Sequence, residues 1–230
     1  MNRSNVLCFI KRKIDFLIMH HIENIQKLFS RNFVENPLIE SFDAGEIHLS
    51  SGHLVACDPL ITNNMKPFEI VFPKDNFPIL VHKERESNCV AYVEIVFSDA
   101  EISEWKMAVT EGQHLKDLQK DEIFGYPVES GMGCFMDVET QNKLNQLELK
   151  LYEEKGSDFM GIYEEFFHEH FFDENGAISQ FAFLYPNENF KGNIFAFETG
   201  YGEGFYASYI GFDKENQPAK IVTEFIEISS

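Results

Sequence analysis

The stretch Gly125-Tyr-Pro-Val-Glu-Ser-Gly-Met-Gly-Cys-Phe-Met-Asp137 holds a thiol, a hydroxyl and two carboxylates, all between Glu129 and Asp137. Cys134 is a nucleophile if its thiolate is stabilised at a helix N-terminus, with His48, His53 or His114 as the upstream bases of interest. Glu129 and Asp137 could shuttle protons or hold a divalent ion through oxygen, with Ser130 between them. Gly131 and Gly133 would let the backbone turn tightly or cradle a ligand at the start of the following helix. Each group also has a purely architectural reading. Asp137 stands where an N-cap would accept backbone N–H bonds, the glycines serve a turn, and Cys134 is a small buried hydrophobe. No Gly-Lys-Ser/Thr follows Gly-Met-Gly, and the flanking acids disfavour phosphate, so the stretch is not a P-loop.

Other chemistry-bearing residues lie further away. Asp58 ends an apolar run just before Pro59, and Glu203 sits in Gly200-Tyr-Gly-Glu-Gly204. That glycine run precedes aromatic strand sequence rather than a helix, so it reads as a hairpin or bulge and not as a dinucleotide loop. His168-Glu169-His170 has metal-ligand residue types, but positions two apart on a helix diverge; Glu164 and His168, four apart, lack a third ligand. No metal is assigned, and no cofactor is specified.

The elements that must position these groups are legible from periodicity. Residues 5–33 place Ile10, Ile14, Ile18, Ile22, Ile25 and Phe29 on one helical stripe, which docks on the domain, pairs with a second copy or lies on a membrane. Met19 offers a second start site within it. After a connector over residues 34–44, Glu46–Leu49 and His53–Cys57 read as a hairpin turned by Ser51-Gly52. Strands are expected at 68–72, 77–82, 89–97 and 105–109, helices at 138–155 and 159–172, a turn at 173–176, and strands at 178–185, 193–198, 205–212 and 220–228. The fold class is therefore α+β and β-rich, with mainly antiparallel sheets, a central helical insert and an N-terminal amphipathic helix. Residues 1–44 form the helix and connector, and residues 45–230 a single domain.

Composition narrows the function classes. Twenty-four phenylalanines in 230 residues favour a packed, β-rich interior. Arg3, Lys11, Arg12, Lys13, Lys27 and Arg31 stand against Asp15 and Glu23 in the first 31 residues, leaving the rest of the chain at −23 against −19 overall. So acidic a body repels nucleic acid and attracts a basic partner. Cys8, Cys57, Cys89 and Cys134 show no Cys-x-x-Cys or zinc spacing, and no run approaches a membrane span or a signal peptide, which points to the cytoplasm.

Several motifs occur in an order that resembles a known family. They are Ser51-Gly-His-Leu-Val-Ala-Cys-Asp-Pro59, Phe72-Pro-Lys-Asp-Asn-Phe-Pro78, Val90–Asp99, Gly125–Asp137, Gly200-Tyr-Gly-Glu-Gly-Phe-Tyr206 and Gly211-Phe-Asp213. Across about residues 45–228 the chain resembles the bacterial family called domain of unknown function 4241. Where that pattern reads Asp-Ser-Gly-Thr-Gly-Cys-Phe, this chain has Glu129 and Met132, and where it reads Gly-Asp-Gly it has Glu203. The resemblance implies no catalytic roles. It does gather Asp58, Glu129, Ser130, Cys134, Asp137 and Glu203 at expected strand ends, and if those ends meet they form an acidic ligand-binding cleft.

The expectation is a bacterial cytosolic interaction protein, for example an immunity-type inhibitor, that binds a basic protein partner; nucleic acid and a membrane span are excluded, and self-association through the N-terminal helix remains open. The alternative is a hydrolase-like enzyme whose cleft is built from Asp58, Glu129, Cys134, Asp137 and Glu203. Turn chemistry alone is the rival explanation of the same residues.

Overall fold

Alternating apolar residues build two antiparallel sheets that face each other. The structure is a computed structural model and describes residues 22–119, 122–172, 176 and 179–229. The larger sheet has the order β1-β3-β4-β12-β11-β5, from β1 (Ile39–His48), β3 (Asn76–Glu84), β4 (Val90–Val96), β12 (Pro218–Glu224), β11 (Ser208–Phe212) and β5 (Glu104–Met107). The smaller has the order β2-β7-β9-β8, from β2 (Leu54–Cys57), β7 (Met132–Asp137), β9 (Ile194–Glu198) and β8 (Phe181–Leu184). A two-stranded ribbon pairs β6 (Tyr126–Val128) with β10 (Gly204–Tyr206).

The facing sides of the sheets make the central core. Ile79, Val81, Val93, Ile95 and Ile221 meet Leu54, Phe135, Phe195 and Phe197, all buried. Each such side chain stabilises the fold by about 1.5–3 kcal/mol through burial. The outer side of the large sheet is covered by α1 (residues 22–29), whose Ile25, Leu28 and Phe29 pack with Tyr92, Tyr209 and Val222. The outer side of the small sheet is covered by α2 (Val138–Lys155) and by a turn of π-helix, Tyr163–Phe167, that runs into α3 (His168–Phe171). Leu144, Ile162, Phe167 and Phe171 pack there on Val55, Cys57, Cys134 and Met136.

The α+β, mainly antiparallel architecture with a central helix and an N-terminal helix is as the sequence indicates; Gly156 ends α2 with φ of 55°. The described part of the N-terminal helix docks its stripe on the domain, while residues 1–21 and most of the expected 173–176 turn lie outside the described residues. Three local readings are corrected. β1 begins at Ile39, inside the expected connector, and pairs with β3, while β2 pairs with β7, so Ser50–Gly52 carries the chain from one sheet to the other instead of closing a hairpin. The alternation marked both strands, but partner choice was settled by long-range packing, to which a local pattern is blind. Residues 68–72 contribute only an isolated bridge between Phe68 and Thr110, and the expected strand 205–212 splits into β10 and β11.

A polar chain crosses the large sheet beneath α1. The Ser41 hydroxyl lies 2.8 Å from His82 Nδ1, His82 Nε2 lies 3.1 Å from Glu94 Oε2, and Lys220 Nζ lies 2.8 Å from Glu94 Oε1. Lys220 also donates to the Arg31 carbonyl at 2.7 Å, tying the end of α1 to the sheet. Burial pushes the Glu94 carboxyl up, but the His82 hydrogen bond and the Lys220 charge outweigh it and hold the group below the usual carboxylate range. A lowered folded-state pKa gives stability that is complete above the unfolded value of about 4.3 and is lost as pH falls through the folded value. Glu94→Gln is therefore expected to flatten the acid limb of a denaturation-versus-pH curve. Lys220→Met, which strands a buried carboxylate, should cost about 3–5 kcal/mol at neutral pH in urea unfolding.

Candidate functional site

The glycine-rich stretch is held in place from both ends of the β2–β7 pair. Asp137 is fully buried; its Oδ2 accepts from the backbone N–H groups of Ser51 (2.9 Å) and Gly52 (3.1 Å), and its Oδ1 from the Glu139 N–H at 2.9 Å. The Ser51 hydroxyl donates to the same carboxylate. Asp137 thus caps α2 and fastens the sheet-crossing turn with one side chain. At the other end Asp58, also fully buried, accepts from Glu129 N–H (3.0 Å), Ser130 N–H (2.8 Å) and Leu60 N–H (2.9 Å).

Between these clamps, Cys134 pairs with Cys57 across the strands, Sγ to Sγ 3.6 Å, on the face covered by α2 and α3. Burial first, then the neighbouring Cys57 thiol, pushes the Cys134 thiol well above its ordinary range, opposite to what a nucleophile needs. Gly133 runs against β9: a Cβ there would lie 2.7 Å from the Phe197 ring. Gly131 has φ of 78° in the turn before β7 and faces Gly202.

The β6–β10 ribbon lays residues 125–131 beside residues 199–206. Thr199 N–H donates to the Gly131 carbonyl at 3.0 Å, and the Tyr206 hydroxyl donates to the Gly202 carbonyl at 2.7 Å. Where these loops meet lies a cleft of about 720 Å³. Its floor is Ser130-Gly131-Met132 and the Glu198–Gly202 loop, and its roof comes from Tyr163, Phe171 and Phe172.

The six sequence candidates are therefore distributed unevenly. Asp58, Glu129 and Ser130 lie together at one end of β7, and Ser130 lines the cleft. Glu203 is exposed on the adjoining loop, just past Gly202 and outside the cleft wall. Asp137 stands at the far end of β7, about 17 Å along the strand from Met132 at 3.3 Å per residue. Cys134 is sealed between them. Sequence reasoning overlooked the cleft's own carboxylate, Glu198, and its aromatic walls, Tyr163, Phe171, Phe172 and Tyr201. Tyr201 read only as part of a glycine-rich hairpin or bulge, and Glu198 only as the last residue of a strand. Among the described residues no three His, Cys, Asp or Glu side chains gather as a metal site, and no described helix is long and apolar enough to cross a membrane.

The fold and cleft define a two-sheet antiparallel sandwich, helix-covered on both outer faces, with a ligand-sized recess at one strand end. Residues 47–223 match the family described as "Protein of unknown function (DUF4241)", and the chain belongs to that family. No curated protein and no solved structure matches it.

Two expectations test this geometry. Asp137→Ala removes the cap and the turn fastening together and should cost about 3 kcal/mol or more in urea unfolding, with Asp137→Asn costing less because its amide oxygen still accepts. Of the three described cysteines, half-buried Cys89 should react with iodoacetamide in the folded protein, while Cys57 and Cys134 react only after unfolding.

Proposed function

We propose that this is an acidic cytosolic interaction protein that binds a basic protein partner, a role of which an immunity-type inhibitor would be one form. The observation that carries the reading is the outer ridge of α2. Leu149 and Tyr152 are each 58% exposed there, with exposed Glu153 and Glu154 beside them and half-buried Glu148 one residue before. Residues three and four apart share a helix face, so Glu148 and Glu153 flank the two apolar anchors, while Glu154 is paired with Lys150. That arrangement complements an amphipathic surface carrying Lys and Arg. The wider charge agrees: Asp58, Glu94 and Asp137 are the fully buried carboxylates among the described residues, and most of the chain's acid faces solvent. Nucleic acid would be repelled by the same field.

The hydrolase alternative, built on Asp58, Glu129, Cys134, Asp137 and Glu203, is less well supported. Its acids lie at opposite ends of β7, and Asp58 and Asp137 already accept backbone hydrogen bonds.

Affinity capture with the full-length protein should recover one basic protein at low salt and release it as ionic strength rises by about tenfold. Glu148→Lys with Glu153→Lys should weaken that complex by about tenfold or more, slowing association most. Capture of nothing at low salt, or a complex indifferent to both salt and charge reversal, overturns the proposal.

A further inference from the structure

We propose that the cleft between the Ser130–Met132 turn, the Glu198–Gly202 loop and the roof formed by Tyr163, Phe171 and Phe172 binds a small organic cation. The ligand chemistry is an ammonium or guanidinium head on a short apolar stem. This inference does not rest on the α2 surface or on any protein partner.

Size comes first. A recess of about 720 Å³ falls within the range of small-molecule sites, roughly 300–1,000 Å³. Its walls are chiefly apolar and aromatic, and four rings, Tyr163, Phe171, Phe172 and Tyr201, contribute to them. Aromatic faces carry negative potential and attract cations, most strongly where water is excluded.

Charge then selects the ligand. Glu198 ends β9 opposite Met132 and on the same strand face as Ala196, and it lines the cleft with Met132. Its carboxylate accepts from the neutral side-chain amide of Gln180 at 3.1 Å. Among the described residues no Lys, Arg or His lies within ion-pair distance of it. Lys83 does not line this cleft but a separate, neighbouring pocket that Glu198 also borders, and its Nζ is 5.0 Å from the centre of the Phe42 ring in β1. A half-buried carboxylate beside aromatic walls and without a protein cation favours a ligand that brings the positive charge.

A second carboxylate reinforces the preference. Tyr201 donates its hydroxyl to Glu84 at 3.2 Å, and that hydrogen bond raises the phenol's pKa. A phenol that donates to a carboxylate has a more electron-rich ring and a stronger pull on a cation. His168 stacks on Phe172 at 4.8 Å and stands edge-on to Tyr163, holding two wall rings in place. An anionic ligand would meet Glu198 at the floor, and an uncharged apolar one would bury that carboxylate without compensation.

The test is calorimetric titration of the full-length protein with choline, with its uncharged isostere 3,3-dimethylbutan-1-ol, and with butyrate. Agmatine and Nα-acetyl-lysine amide provide guanidinium and side-chain heads. At least one cation is expected to bind about tenfold or more tightly than the alcohol, and butyrate is expected not to bind. Glu198→Gln should weaken that cation by about tenfold while leaving the alcohol unchanged, Tyr201→Leu should weaken it several-fold, and Glu215→Gln should have no effect. Circular dichroism and melting of the variants separate lost binding from lost folding. Binding of acetyl-lysine amide without choline or agmatine supports the same chemistry with a protein side chain as its source. Equal affinity for choline and the alcohol, stronger binding of butyrate, no cation binding at millimolar concentration, or an unaltered Glu198→Gln overturns the inference.

Discussion

Two buried carboxylates close the β2–β7 strand pair at its two ends, and the smaller sheet depends on them. Asp137, at the end of β7, holds the turn before β2, while Asp58, just after β2, holds the turn before β7. Each strand thus carries the clamp for the other's entry. A carboxylate accepting two or three backbone N–H groups is a strong, directional contact, and losing one would leave several buried donors unsatisfied. The β2–β7 pair in turn fixes the start of α2 and presents the Ser130–Met132 turn to the cleft.

This explains why the residues that look most catalytic are in the positions they occupy. An aspartate beside glycine and serine at a strand end has the composition of an active site, and it also has the composition of a backbone clamp. The hydrogen bonds here satisfy the second description. Asp58 and Asp137 are already engaged by N–H groups, and Cys134 is stacked on Cys57 beneath α3. What the clamps produce is a shaped void next to them, walled by residues with no signature of their own. The reactive-looking groups make the architecture, and the plain ones make the recess.

The large sheet solves a different problem. Its outer face carries Ser41, His82, Glu94 and Lys220 in a continuous polar chain, buried under α1 except at Ser41. Glu94 is ion-paired with Lys220, which also donates to the Arg31 carbonyl, so the helix covers a paired cluster and not isolated ions. Phe29 stands edge-on to both His82 and Tyr92, which places the apolar stripe of α1 directly over this chain.

Much of the fold was legible from local pattern. Period-two runs such as Val90–Val96 and the leucine-bearing repeat of Val138–Lys155, bracketed by Asp137 and Gly156, are dictated by side-chain direction and capping chemistry acting over a few residues. The acidity that motivates a basic partner is likewise a property of the chain. Tertiary structure alone decided that β1 joins β3 while β2 joins β7, because pairing follows the burial of whole faces and is invisible to either strand by itself. It also decided the site. Glu198, Tyr163 and Tyr201 are far apart or unremarkable in sequence, and only the β6–β10 ribbon and the packing of α3 on the small sheet bring them to one cleft. Gly125–Asp137 announced a special backbone, and the sheets determined that Ser130–Met132 border a cavity while Tyr126, Val128 and the rest of β7 are buried.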